Sequence, residues 1–358
     1  MVDTTDVVFA FVAAALITWA LVPVAERLAR RVGAIDEPGP RSQHTVPTPR
    51  MSGIAILVGV EIAGWIWLPK NSEETAILLG AVAVVLVGAL DDMFDLRALV
   101  KLIGQMAAAA IPVAGGVRPD VLTIPFIGGF ELGWTAYPLT ILGIVAVVNI
   151  INLIDGIDGL AAGVCAIAAA AMAVIALSLD RTEAGILAAI TAGGALGFLR
   201  HGFPPASSFM GDAGSNLLGY LIAVASIQGA LKTNAVVALA FPLVLLAVPI
   251  FDTAFVVAKR IKYGQPIYQA DRWHFHHRMA NIGFSQRRSL AYLYGWTLIL
   301  ALLALALRLV PYSDDRGNFD PVWTAFMAVV VLAAVGVTIY LVYVLEIIKL
   351  GRPRDEPG

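Results

Sequence analysis

A chain of 358 residues in which 59% are hydrophobic and 14% are charged is too apolar for an ordinary soluble domain. The formal net charge of -2 at pH 7 excludes the class of nucleic-acid-binding proteins that present a strongly basic face. The composition therefore predicts an integral membrane protein, in which each polar residue has to be interpreted from its position along the chain.

Apolar runs of about 17 to 25 residues, together with shorter runs rich in Gly and Ala, predict an all-α membrane helix bundle. The first run follows Asp3 and Asp6 instead of a basic segment, so we expect a retained span and no cleaved signal peptide. About eleven transmembrane helices are predicted, at 7–25, 53–68, 76–90, 100–114, 136–153, 160–179, 184–200, 214–230, 236–258, 289–310 and 322–346.

The distribution of Lys and Arg predicts that the N-terminus lies outside and the C-terminus in the cytoplasm, because most of the 24 basic residues then face the cytoplasm. Short apolar runs on both sides of Gly128-Gly129 predict an external β-hairpin near residues 121–132. We expect residues 1–350 to form a single transmembrane domain and the polar residues 351–358 to form a frayed tail.

The first predicted cytoplasmic loop, residues 36–50, is rich in Pro and carries His44 and Arg50. This composition suits an ordinary juxtamembrane linker as well as an anion site. Taken alone, the loop does not decide between them.

The second loop, residues 90–97, contains the adjacent acids Asp91 and Asp92, and Lys101 follows in the next predicted helix. Adjacent acids at a helix end can simply form a solvated helix cap. Taken alone, this cluster is therefore compatible with either a cap or a functional site.

The third loop follows an apolar segment and carries Asn149, Asn152, Asp155 and Asp158 together with two glycines. Amide and carboxylate groups this close to hydrocarbon are costly unless they pair, bind an ion or line a wet cavity. The stretch therefore predicts a site. Asp252, inside the ninth predicted helix, has to be paired or to face the cavity for the same reason.

The fourth loop, residues 209–216, places Asp212 between glycines where the eighth predicted helix begins. Free backbone N–H groups at a helix N-terminus favour phosphate, and a carboxylate there suits a metal–phosphate complex. The pattern is short, so it gains weight only beside the other loops.

The fifth loop, residues 271–278, holds His274, His276, His277 and Arg278. Three histidines could bind a transition metal, but oxygen donors dominate elsewhere and no cysteine accompanies them. The basic residues favour an anion clamp.

All five clusters fall on the predicted cytoplasmic face although they are scattered along the chain. Carboxylate and amide oxygens suit Mg²⁺, which commonly joins one or two protein carboxylates to substrate phosphates. The combination indicates phosphoryl chemistry. The alternative from another class is an ion-coupled secondary transporter, whose ionisable groups would lie nearer the membrane midplane.

Four ordered motifs resemble those of the polyprenyl-phosphate N-acetylhexosamine-1-phosphate transferase family, which includes phospho-N-acetylmuramoyl-pentapeptide transferase. The last motif is similar to the N-acetylglucosamine branch, whereas the muramoyl-pentapeptide branch carries a His-His-His run. The motifs are Asp91-Asp92 with Asp95-Leu96 and Lys101, Asn149-x-x-Asn152-x-x-Asp155-Gly-x-Asp158-Gly-Leu160, Phe209-Met-Gly-Asp212-x-Gly-Ser215, and His274-x-His276-His277-Arg278.

The resemblance implies transfer of N-acetylglucosamine 1-phosphate from UDP-N-acetylglucosamine to undecaprenyl phosphate, with release of UMP. It implies a site on the cytoplasmic face of the inner (plasma) membrane, dependence on Mg²⁺ or Mn²⁺, and a homodimer among membrane lipids. Another UDP-N-acetylhexosamine or a muramoyl-pentapeptide donor stays open, and so does the glycan pathway.

The resemblance also implies roles for individual residues. Asp91, Asp92 and Asp212 are the catalytic carboxylates, and Asp212 and Asn152 are the metal ligands. The remaining candidates are the nucleotide contacts Phe209, Asp155 and Asp158, the phosphate and sugar contacts Lys101, His274, His276, His277 and Arg278, the first-loop candidates His44 and Arg50, and the supporting residues Asn149 and Asp252.

Overall fold

The computed structural model describes residues 4–38, 46–124, 128–230, 244, 246–262, 279–280, 283–312 and 320–344. Each predicted apolar run overlaps a helix in this part of the chain, although residues 236–243 and 245 of the ninth run and 345–346 of the eleventh lie outside it. The helices are α1 (Thr4–Val32), α2 (Gly53–Trp67), α3 (Ser72–Phe94), α4 (Ala98–Gly115), α5 (Ala136–Ile154), α6 (Leu160–Ser178), α7 (Thr182–Gly202), α8 (Gly211–Ala230), α9 (Ala247–Lys262), α10 (Gln286–Leu309) and α11 (Pro321–Val344).

Eight helices within the described ranges are long and apolar enough to cross a membrane: α1, α3 to α7, α10 and α11. The chain is therefore a multi-pass membrane protein with an all-α framework, as the composition predicts. α2 is shorter, with 15 residues. α8 carries Asp212, Ser215, Asn216 and Gln228, whose side chains lower its hydropathy.

The packed centre of the bundle contains α6 and α7, in each of which 78% of the residues in the most apolar stretch are buried. In α11 only 11% of these residues are buried. α1 approaches α7 closely at Gly193 and Gly197. A Cβ atom on Gly193 would lie 2.2 Å from the carbonyl oxygen of Phe11, so only glycine permits this contact. Small residues spaced four apart commonly allow such helix contacts in membranes.

The predicted hairpin is present as β3 (Val121–Ile124) and β4 (Gly128–Glu131), which pair antiparallel with Val121 opposite Glu131. A second pair, β1 (Ile35–Asp36) and β2 (Thr48–Pro49), was not predicted because strands of two residues show no periodicity. The predicted tail, 351–358, lies outside the described residues.

The loops that follow α1, α3, α5 and α7 meet at one end of the bundle. Arg50 of the first loop reaches Asp92 at the end of α3, and Lys101 of α4 reaches Asp212 of α8. Asp158, after α5, accepts a hydrogen bond from the backbone N–H of Ala206, after α7. The prediction that these polar clusters share one face is confirmed for the described loops.

Candidate active site

Lys101, in the first turn of α4, lies at the centre of a polar cluster contributed by four helices. Its Nζ lies 2.9 Å from Oδ2 of Asp91 on α3 and donates a short hydrogen bond to Oδ2 of Asp212 on α8. It also donates to Oδ1 of Asn152 on α5, at 3.4 Å. The structure therefore brings together four residues that the sequence distributes over more than a hundred positions.

Asp91 lies in the last turn of α3, which extends beyond the predicted span to Phe94. One carboxylate oxygen, Oδ1, accepts the backbone N–H of Leu96 at 2.9 Å and so fixes the turn between α3 and α4. Asp95 takes a left-handed conformation in that turn, with φ of 50°. The second oxygen of Asp91 faces Lys101.

Asp92 caps the N-terminus of α8. Its Oδ1 accepts the backbone N–H of Asp212 at 2.9 Å, and its Oδ2 accepts that of Ala213 at 3.0 Å. A carboxylate at a helix N-terminus satisfies free N–H groups and opposes the positive end of the helix dipole. Gly211, with φ of 66°, makes room: a Cβ there would lie 2.4 Å from Oδ2 of Asp92.

Arg50 forms the third contact of Asp92, with 3.2 Å between Nη2 and Oδ1. It also lies 3.6 Å from Asp36. The Asp92 side chain is 0% exposed. Burial opposes the charge of Arg50, but the surrounding carboxylates of Asp92, Asp36 and Asp212 outweigh it and raise the pKa of this guanidinium. Arg50 is thus held as a cation beside Asp212.

Amide side chains on α4, α5 and α8 support the cluster from inside the helix bundle. Asn152 Nδ2 donates to Ser215 Oγ at 2.9 Å, which leaves its Oδ1 toward Lys101. Asn149 donates to Gln105 Oε1 at 2.8 Å, and Gln105 donates in turn to Asn216 at 3.4 Å. Sequence reasoning missed Gln105, although a buried amide one turn after Lys101 in an apolar helix was a usable signal.

The backbone of the first loop fixes Phe209. The N–H of Phe209 donates to Pro49 O at 2.8 Å, and its carbonyl accepts the N–H of Ser52 at 3.2 Å. Ser208 shares a 2.6 Å hydrogen bond with Ser52, and both hydroxyls are buried. The end of the first loop therefore packs against the segment that carries Phe209, and anion binding by this loop stays a prediction.

A cavity of about 300 Å³, here termed the loop cleft, opens between the loops after α5 and α7. Burial and the carboxylates of Asp212 and Asp92 raise the pKa of Asp155 well above its ordinary value. The lining residues are Asp36, Arg50, Asp155, Gly156, Ile157, Asp158, Gly159, Phe198, Gly202, Ser208, Phe209, Met210, Gly211 and Asp212.

A second cavity of about 800 Å³, here termed the helix-end cavity, lies at the end of α3. Arg50 and Asp212 line both cavities, so the two cavities adjoin at these residues. The other lining residues of the helix-end cavity are Asp91, Asp92, Met93, Phe94 and Asp95.

The remaining predicted site residues fall into two groups. His44, His274, His276, His277 and Arg278 lie outside the described residues. Asp252 is 3% exposed in α9 and is not among the residues that line the two cavities.

The oxygen atoms around Lys101 suit a divalent cation. Asp91, Asp212 and Asn152 direct two carboxylates and one carboxamide oxygen at the positive ammonium group. Hard oxygen donors of this kind fit Mg²⁺, which keeps further positions for water and phosphate. Within the described residues no three His, Cys, Asp or Glu side chains are arranged to hold a metal ion.

The fold and this site define a class of protein: a multi-pass membrane protein with a polar centre, suited to phosphate chemistry, at one end of its helices. The family model for glycosyl transferase family 4 matches residues 75–230. These residues contain the Asp91, Asn152 and Asp212 motifs. The chain belongs to this family, because a relative 36% identical to it is matched over 84% of the chain.

That relative is a Bacillus subtilis (strain 168) protein named as a probable undecaprenyl-phosphate N-acetylglucosaminyl 1-phosphate transferase, of which 85% is covered. A Mycobacterium leprae (strain TN) decaprenyl-phosphate N-acetylglucosaminephosphotransferase is 35% identical, over 80% of both chains. A Moorella thermoacetica (strain ATCC 39073 / JCM 9320) phospho-N-acetylmuramoyl-pentapeptide-transferase is 31% identical, over 83% of this chain and 96% of its own length. These relatives confirm the family that the motifs indicate.

Proposed function

We propose that the protein transfers N-acetylglucosamine 1-phosphate from UDP-N-acetylglucosamine to undecaprenyl phosphate and releases UMP. The observation that carries this proposal is that the two cavities adjoin, because Arg50 and Asp212 line both of them. A donor in one cavity and an acceptor in the other would bring both phosphates to these two residues. The names of the relatives supply the substrate classes.

The loop cleft is assigned to the UDP half of the donor. Phe209 offers a ring for stacking on uracil, and base–aromatic stacking contributes about 1–3 kcal/mol per base. Asp158, held by the N–H of Ala206, presents a carboxylate to the edge of the base. The donor pyrophosphate then extends toward Arg50 and Asp212.

The helix-end cavity is assigned to the phosphate of the lipid acceptor. A phosphate monoester has a second pKa of about 6, so it is largely dianionic near neutral pH and needs little help from a general base. Asp91 orients this phosphate, takes a residual proton from it or supports the metal. Asp92 has both oxygens occupied by α8 and acts by holding Asp212 in place.

The reaction is proposed as a single displacement. An oxygen of the lipid phosphate attacks the β-phosphorus, a new P–O bond forms, and the bond from the β-phosphorus to the bridging oxygen breaks so that UMP leaves. Arg50 and Lys101 neutralise charge that builds up on the phosphates, and positioning does most of the remaining work.

Asp212 and Asn152 are proposed as the protein ligands of Mg²⁺, with Asp91 beside them. The chemistry that a bound Mg²⁺ supplies is neutralisation of the pyrophosphate charge and orientation of the leaving group. The site is proposed to face the cytoplasm, because the Lys and Arg residues favour that orientation.

Release of UMP from UDP-N-acetylglucosamine, measured with purified protein, undecaprenyl phosphate and Mg²⁺, tests the proposal. UMP release that requires the acceptor is the expected result. Substrate uptake into vesicles without UMP release would instead support the transporter alternative. A panel that includes other UDP-N-acetylhexosamines and UDP-muramoyl pentapeptide tests the donor, since one relative is named for the muramoyl-pentapeptide reaction.

A further inference from the structure

Both loops of the loop cleft are attached to one helix that lines neither cavity. Tyr294 of α10 donates a hydrogen bond from its hydroxyl to the carbonyl oxygen of Gly159, at 2.5 Å. Arg287, in the first turn of α10, donates from Nε to the carbonyl oxygen of Pro204, at 3.1 Å. Positions seven apart share a helix face, so one face of α10 reaches both loops.

The position of the Tyr294 ring is fixed by close packing on α6. A Cβ atom on Gly163 would lie 2.1 Å from Cζ of Tyr294, so the ring lies directly against the backbone of this helix. Gly159, which accepts the hydroxyl, has a φ of 76° and ends the turn that begins at Asp155. The contact therefore holds the end of the loop that carries Asp155 and Asp158.

The second contact, from Arg287 to Pro204, holds the opposite side of the loop cleft. Pro204 belongs to the segment between α7 and α8, which continues to Phe209. Within this segment the N–H of Ala206 donates to Oδ2 of Asp158 at 3.1 Å and joins the two walls. Tyr294 and Arg287 thus tie each wall to α10, and Ala206 ties the walls to each other.

We propose that Tyr294 and Arg287 are positioning residues, which set the spacing between Asp158 and Phe209 and so the affinity for the nucleotide half of the donor. Neither side chain lines the cleft, so each acts through the backbone that it holds. The inference rests on the proposed function because it takes the loop cleft as the UDP site.

Tyr294→Phe removes the hydroxyl and keeps the ring packed against α6. We expect KM for UDP-N-acetylglucosamine to rise about three- to tenfold, the effect of losing one neutral hydrogen bond. The kcat and the KM for undecaprenyl phosphate should change less than about twofold, since the helix-end cavity is not attached to Tyr294. A general loss of folding would instead alter kcat and both KM values.

Tyr292→Phe is the matched control, because Tyr292 lies on the same helix and packs its ring on Phe284, 5.4 Å between centroids. Its KM for the donor should equal that of the wild type. Arg287→Met should raise the donor KM, whereas Arg288→Met, at the neighbouring position, should not. An unchanged donor KM in Tyr294→Phe overturns the proposal.

Hydrogen–deuterium exchange of the substrate-free protein separates this inference from the proposed function. Amides of residues 155–163 should exchange faster in Tyr294→Phe than in the wild type and in Tyr292→Phe. If the wild type releases no UMP, the proposed function fails, and the exchange still decides whether Tyr294 holds the loop. Equal exchange in all three proteins contradicts the positioning role.

Discussion

The loop cleft and the helix-end cavity share Arg50 and Asp212 but are built differently. The loop cleft is lined by irregular segments whose backbone is held from outside by α10. The helix-end cavity is lined by the last turn of α3, whose carboxylates are fixed by Lys101 and by the N-terminus of α8. Groups on rigid elements are positioned more accurately than groups on loops. This contrast supports the proposed division between donor recognition by the loops and phosphate chemistry at the helix ends.

Asp212 belongs to both cavities, so its substitution should have the largest effect. Asp212→Asn removes the charge that faces Lys101, and we expect kcat to fall about 10³-fold or more, together with the dependence of the rate on Mg²⁺. UMP release over a Mg²⁺ titration measures both. Asp180→Asn, at a left-handed turn between α6 and α7, is the control. An Asp212→Asn protein with a rate near that of the control would contradict the role.

Asp91→Asn should have the next largest effect. The change leaves an oxygen to accept the N–H of Leu96 but removes the carboxylate that takes a residual proton or supports the metal, and we expect kcat to fall about 10²-fold. The unfolding temperature in detergent should stay near that of the wild type. A loss of activity that merely follows a loss of stability would remove Asp91 from the chemistry.

Phe209→Ala tests the loop cleft separately. Loss of stacking should raise KM for UDP-N-acetylglucosamine about tenfold while KM for undecaprenyl phosphate stays constant. Steady-state kinetics with each substrate varied in turn gives both constants. Equal increases in the two constants would show that the cavities do not divide donor from acceptor.

Asp92→Asn should affect stability more directly than chemistry. The N–H groups of Asp212 and Ala213 are accepted by different oxygens of Asp92, and an amide replaces one of these oxygens with an NH₂ donor. The cap of α8 is therefore weakened by about 1 kcal/mol and the charge pairing with Arg50 is lost. Thermal unfolding in detergent should show a lower midpoint than for Asp91→Asn. If the two variants were equally stable and equally inactive, the distinction between the adjacent acids would fail.

The difference between Asp91 and Asp92 illustrates what the sequence could predict. Adjacent acids look alike in a motif, and only the packing of α3 against α8 determines that Asp92 meets the helix N-terminus. The convergence of Asp91, Lys101, Asn152 and Asp212 was predictable, because such groups persist at membrane depth only where they meet partners or ligands.

Sequence patterns could not show the contacts that depend on tertiary packing. The roles of Tyr294 and Arg287 follow from the approach of α10 to two loops far away in the chain. Helix positions were predictable from apolar runs, but α1 extends to Val32 and α3 to Phe94 because each helix continues past its apolar run into polar residues. Side of the membrane and oligomeric state stay predictions.

The central claim is that donor and acceptor occupy adjoining cavities at the same time. Initial rates measured with both substrates varied should therefore give intersecting double-reciprocal lines, and labelled UMP should not exchange into UDP-N-acetylglucosamine when undecaprenyl phosphate is omitted. Parallel lines, together with acceptor-independent exchange or a phosphosugar trapped on Asp91 or Asp92, would establish a covalent intermediate and contradict the account.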